Sequence, residues 1–195
     1  MKAIILSTLV TVASVGLIST ATAQVSDATA NNNTGGITQT NDMQGQLPAR
    51  DFKFAKEAAQ GGRMEIALGQ VAQQNGQDAA VRDFGAKMAQ DHQAANQELA
   101  QILSQKGASV SDAPGWLEGK MDNHLEGKKG ADFDRAYMKR MVSDHKETIK
   151  LFQKEASEGE DAEIRNFASK TLSKLQEHLQ MALDTQAKLS SSASR

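Results

Sequence analysis

From residue 49 onward, apolar side chains recur every three or four positions, proline almost disappears and runs of β-branched residues are missing. That period marks amphipathic helices, and stop signals divide it into four. The first predicted helix runs over 49–75, following Pro48, a residue suited to a first helical turn, and stopping at Gly76. The second starts after Asp78, a good N-cap, and ends near Gly107. The third covers about 131–157 and stops at Gly159; the fourth starts after Asp161 and reaches about 188, leaving 189–195 as a frayed tail. A connector over 108–130 holds Pro114-Gly115 and a Gly-Lys-Lys-Gly run, and between them Trp116, Leu117, Met121 and Leu125 fit a short extra helix lying on the bundle. A connection this long is unusual between neighbouring bundle helices and suffices to cross the bundle end to end. The pattern predicts an all-α, antiparallel four-helix bundle over 48–188, built from two helical hairpins.

An internal repeat supports the two hairpins. Shifting the chain by 83 positions places Gly76, Asp78, Ala79, Arg82, Phe84 and Lys87 on Gly159, Asp161, Ala162, Arg165, Phe167 and Lys170. Upstream, Phe54 meets Tyr137, Ile66 meets Ile149 and Leu68 meets Leu151. Each hairpin is then two helices joined by a Gly-x-Asp turn.

The N-terminal stretch has a different character. Lys2 precedes an uncharged, mostly apolar run from Ile4 to Ile18, and Ala21-Thr22-Ala23 gives the small-x-small pattern of signal-peptidase cleavage. About 15 apolar residues are too few to cross ~30 Å of hydrocarbon comfortably, so residues 1–23 read as a secretory signal rather than an anchor. Residues 24–47, rich in Asn, Thr, Gly, Gln and Ser, read as a disordered leader. Removing the signal leaves 21 basic and 24 acidic side chains, a net charge of −3, with no basic half to suit nucleic acid. With no cysteine in the chain, export points to a bacterial periplasm or envelope.

Candidate chemistry lies in one layer of side chains. His92 falls on the stripe Val81, Gly85, Met88, His92, Ala95, Leu99; His145 lies one turn from Met141 and from Ile149; His178 shares a face with Thr171, Leu175 and Ala182. On the first helix, Glu65 interrupts the small-residue stripe Ala58, Gly62, Gly69, Ala72. Under the 83-residue shift these four positions differ by about 4.5 Å along the helices, so a Glu and three His from four helices converge at one height. Neutral imidazoles with one carboxylate suit a transition metal such as Zn, Fe, Mn or Cu; the alternative is a buried polar layer whose members hydrogen-bond one another and fix register. Asp91 and Asp144 each directly precede a histidine and are candidate outer acceptors for an imidazole N–H, or partners of nearby cations. The Glu-x-x-His signature of di-iron bundles is missing, as are Gly-rich phosphate loops, Gly-x-Ser-x-Gly and His-Glu-x-x-His.

The segments Met64-Glu65-Ile66-Ala67-Leu68-Gly69, Asp91-His92, Phe133-Asp134-Arg135-Ala136-Tyr137-Met138, Met141-Val142-Ser143-Asp144-His145 and the later His178 resemble a bacterial family of exported ferritin-like domains, domain-of-unknown-function family four-one-four-two. The resemblance covers about residues 50–186. It implies a ferritin-like four-helix bundle and carries Glu65, His92, His145 and His178 over as motif positions, but supplies no activity. Members are often labelled outer-membrane proteins, yet the amphipathic, charged helices have nothing of alternating barrel strands.

Three functions remain open at this point. The first is a non-enzymatic periplasmic or secreted bundle, peripheral to the envelope, serving its maintenance or stress response with an envelope-protein partner or as a homodimer. The second is a metal-binding or oxidative-stress protein using the Glu/His cluster. The third is a helical protein-interaction module.

Overall fold

A computed structural model describes residues 44–111 and 125–193. Four helices follow in chain order: α1 (Ala49–Asn75), α2 (Ala79–Gln105), α3 (Gly130–Glu158) and α4 (Ala162–Ala193). The hairpins α1–α2 and α3–α4 form as the repeat predicts, and they stack with α1 against α3 and α2 against α4. The start of α1 lies at the α3–α4 turn, where Asp51 accepts from Glu160 N–H. The start of α3 lies at the α1–α2 turn, where Asp134 accepts from Gln77 and Asp78 N–H at 3.0 and 2.8 Å. Packed neighbours therefore all run antiparallel, and α2 ends at the opposite end of the bundle from the start of α3.

Each Gly-x-Asp turn has the same construction. Asp78 caps Ala80 N–H at 2.8 Å, and Asp161 caps Glu163 and Ile164 N–H at 2.9 and 3.1 Å. Arg82 donates back to the carbonyls of Gly76 and Gln77, and Arg165 to those of Gly159 and Glu160. The turn glycines keep negative φ, −67° at Gly76 and −58° at Gly159. They are glycines for want of room, since a Cβ would stand 2.7 Å from Ala72 O and 2.8 Å from Glu155 O, respectively.

The apolar interior falls into two clusters. One, around Phe54, Leu99, Leu103, Phe152, Ile164 and Phe167, fills the end holding the α3–α4 turn. The other, around Leu68, Val81, Phe84, Met88, Phe133, Tyr137 and Met141, fills the end holding the α1–α2 turn. The Glu/His layer lies between them in sequence on every helix.

Two expectations change, and a third falls outside the described residues. Leu47 is buried in the first cluster and Gln46 N–H bonds Lys106 O at 3.2 Å, so the last residues of the expected leader are part of the folded domain. Helix α4 continues to Ala193 instead of fraying near 188. Ser190, Ser191 and Ser192 turn their hydroxyls back onto the carbonyls of Gln186 and Lys188, which shields the last turns. The extra helix expected around Trp116, Leu117 and Met121 lies outside the described residues; Leu125, at its expected end, sits in a turn and packs into the second cluster. No helix among the described residues is long and apolar enough to cross a membrane.

Candidate metal centre

Small residues set the spacing of the first hairpin around the polar layer. Gly69 and Gly85 let α1 and α2 cross closely: a Cβ on Gly69 would come 2.4 Å from Gly85 O. Two turns earlier, Gly62 leaves room for the Asn96 side chain, which donates to Ala59 O at 3.2 Å. Glu65 lies between those two contacts and is 6% exposed. From the other helices come His92 (9% exposed), His145 (2%) and His178 (1%).

The three imidazoles meet. Their ring centroids lie 5.5–6.0 Å apart, and one nitrogen from each ring lies within 4.8 Å of the other two. Two of the rings are oriented from outside the cluster. His145 Nδ1 is 2.9 Å from Met141 O, one turn back on α3; the carbonyl can only accept, so Nδ1 carries the proton and Nε2 the lone pair. His178 Nε2 is 2.8 Å from Asp91 Oδ2, which leaves the lone pair on Nδ1. His92 Nε2, His145 Nε2 and His178 Nδ1 are all buried without a hydrogen-bond partner. Glu65 Oε2 and the Tyr137 hydroxyl are likewise buried and unpartnered.

Electrostatics keep the rings neutral. Burial, followed by the repulsion of the neighbouring histidines, pushes His92 down to about 3. Burial, then His178, pushes His145 down to about 4, against the bond to Met141 O. His178 is also held below its ordinary value by burial, with Asp91 opposing. Glu65 moves the other way, raised to about 8 by burial and then by Asp144, with Arg140 opposing. Burial raises the Tyr137 hydroxyl, and Glu65 adds to that. At neutral pH the layer thus presents three neutral imidazoles and a carboxylic acid.

The outer carboxylates separate in role. Asp91 lies between Lys87 Nζ (3.0 Å) and His178; burial pushes its carboxyl up, but those two hydrogen bonds outweigh it and hold it below the ordinary range. Asp144 pairs with Arg140 Nε at 2.8 Å on its own helix, while Arg140 also reaches Met64 Sδ at 3.3 Å. Glu65 falls outside the set of mutually close ligand atoms, which is His92, His145 and His178. It lines, with His92, His145 and Asp144, a partly open cavity of about 70 Å³.

The sequence pattern had not singled out Asp51 and Asp134, although the 83-residue shift superimposes them, nor the Met141 carbonyl, for which one-dimensional spacing carries no signal.

Residues 37–185 match the model of a family described as a domain of unknown function, DUF4142. The chain belongs to that family. Among curated proteins none matches it. The DUF4142 fold recurs in solved structures at low identity. A DUF305 fragment from Deinococcus radiodurans has a TM-score of 0.64 at 10% identity, covering 73% of this chain and 98% of that one. The bacterioferritin-related dodecameric thioferritin of Bacteroides fragilis has 0.62 at 14%, covering 74% and 88%. CopM in its Cu(II)-bound form has 0.56 at 12%, covering 71% and 96%. The DUF4142 domain is thus an all-α bundle with ferritin-like relatives in fold.

Proposed function

We propose that this protein is an exported metal-binding bundle that holds one divalent transition-metal ion on His92, His145 and His178. The carrying observation is that one nitrogen from each of three buried rings, on three helices, lies within 4.8 Å of the other two, and that each ring keeps a buried nitrogen without a hydrogen-bond partner. Each buried polar atom left without a partner costs about 1–3 kcal/mol, and gathering three in one layer is unfavourable unless something binds them. A self-contained hydrogen-bonded layer does not account for it, because the bonds that orient His145 and His178 go outward, to Met141 O and Asp91. A tetrahedral ion with nitrogens about 2.0–2.1 Å away needs them roughly 3.4 Å apart, a closure of up to about 1.4 Å by side-chain adjustment.

The donor set favours some metals over others. Neutral imidazoles suit Cu(II) and Zn(II), then Fe(II), and suit Mn(II) least. Asp91 accepts the His178 N–H and fixes which nitrogen that ring offers, as an outer acceptor does in metal centres generally. Fold relatives include CopM, solved with Cu(II), and a thioferritin, which is consistent with a metal-handling role. In the envelope, where the N-terminal signal would send the chain, that role is sequestration of the ion as part of envelope maintenance or stress protection.

Metal analysis of protein purified without a His-tag tests the reading. We expect about one ion per chain after loading with Cu(II) or Zn(II), falling below about 0.1 in His92→Ala, His145→Ala and His178→Ala. Wild-type protein that stays below about 0.1 ion per chain with Zn, Cu, Fe and Mn alike would overturn it.

A further inference from the structure

Three histidines leave at least one position of a tetrahedral ion open, and the structure provides a space beside it. The cavity of about 70 Å³ has His92, His145, Glu65 and Asp144 in its wall, and apolar surface, with Ala58, Leu151, Phe152, Phe167 and Leu175 among its sources, predominates. On the scale where a cavity of roughly 150 Å³ takes benzene, it suits a ligand of about two or three non-hydrogen atoms. Three of its polar residues also bring buried atoms without hydrogen-bond partners: His92 Nε2, His145 Nε2 and Glu65 Oε2. On the outer side, an open groove between α1 and α3 shares Glu57, Gly61, Met64, Thr148 and Leu151 with the cavity. A Cβ added at Gly61 would meet nothing within 4 Å, so a side chain there enters the open space that groove and cavity share.

Resting on the tri-histidine reading above, we infer that this cavity admits a small exogenous ligand to the open position of the bound metal, by way of the groove at Gly61. The ligand class is a neutral or singly charged molecule of two or three non-hydrogen atoms, the size of dioxygen, hydrogen peroxide or azide. Binding is a ligand exchange at the metal: a water leaves and the small molecule takes its place. The predominantly apolar wall disfavours larger hydrated anions, and Glu65, which lines the cavity from α1, has a buried carboxyl oxygen without a hydrogen-bond partner.

The test uses cobalt as a spectroscopic reporter and azide as the ligand. The full-length mature protein is loaded with Co(II), bound cobalt is quantified, and the visible Co(II) absorption is titrated with azide. Gly61→Leu is titrated in parallel; it removes a glycine from a helix interior and touches no histidine, so it keeps the fold. We expect one Co(II) per chain in both proteins, a saturable azide-dependent spectral change in the wild type, and azide binding at least about tenfold weaker or slower in Gly61→Leu. Failure to bind cobalt overturns the metal reading and the ligand site with it. Cobalt bound with a spectrum that azide leaves unmoved overturns the ligand site alone. Equal azide affinity and rate in both proteins overturns its placement in this cavity.

Discussion

Asp51 on α1 and Asp134 on α3, 83 positions apart in sequence, do the same work at opposite ends of the bundle. Each buried carboxylate accepts the N–H groups of the turn in the other hairpin: Asp51 those of Glu160 and Asp161, Asp134 those of Gln77 and Asp78. The hairpins are clasped reciprocally, and α1 and α3 are held antiparallel by polar contacts as well as apolar packing. Asp51→Ala and Asp134→Ala should each cost about 2–4 kcal/mol in urea unfolding, because two buried donors lose a charged acceptor. The sites are separated by the length of a 27-residue helix, so the double variant should be additive within about 0.5 kcal/mol. A loss under about 0.5 kcal/mol in either single variant would mean that the clasp carries no stability.

His145→Leu separates a metal centre from a structural layer. Without metal, the substitution removes an unpartnered nitrogen from the core, and the variant should equal or exceed the wild type in stability by up to about 2 kcal/mol. With saturating Zn(II) the order should reverse, since an ion at a thousand times its Kd adds about 4 kcal/mol to the wild type only. Chemical denaturation with and without chelator checks both signs. A variant less stable than wild type under both conditions, by the same amount, favours the structural layer.

Asp91→Asn addresses orientation. It keeps the shape but weakens the acceptor that fixes the His178 ring. Metal affinity should fall by roughly 10–100-fold with stoichiometry at saturation unchanged, measured by competition against a chelating dye. An unchanged affinity would remove Asp91 from the centre.

The glycines of the first helix should respond oppositely to alanine. Gly61→Ala enters open space and should stabilise by up to about 1 kcal/mol. Gly69→Ala would set a Cβ 2.4 Å from Gly85 O, forcing the α1–α2 crossing apart, and should destabilise by about 1–3 kcal/mol. Thermal melts of the two variants decide it; a common sign would contradict the close crossing.

The clasp at the α3–α4 turn contains a titrating partner that the other clasp lacks. Burial, followed by the adjacent Asp51, raises Glu155 to about 7, with Arg50 and Arg165 opposing. Its position in the repeat is Ala72 on α1. A carboxyl whose folded value lies above its unfolded value of 4.5 contributes stability that is complete below that value and is lost as pH rises through about 7. Wild type should therefore lose stability relative to Glu155→Gln between pH values of about 5 and 8, read from denaturation midpoints of the two proteins side by side. Parallel profiles would show that Glu155 does not titrate in that window.

The sequence by itself determined four helices, their turns and the two-hairpin plan, because helix period, N-cap aspartates and stop glycines act within a few residues of where they stand. The repeat carried that local information to Asp78 and Asp161, and the family motifs marked Glu65, His92, His145 and His178. Only the tertiary structure decided that the three histidines meet while Glu65 stands outside their mutual contact, and that Asp51 and Asp134 reach across to the opposite hairpin. It alone also gave Asp91, rather than Asp144, the task of holding a ring. Those outcomes depend on the rotation and approach of whole helices, set by which small residues let backbones come close, as at Gly69 and Gly85. A difference of a few ångströms there separates ligand from neighbour, and no period along a single chain encodes it.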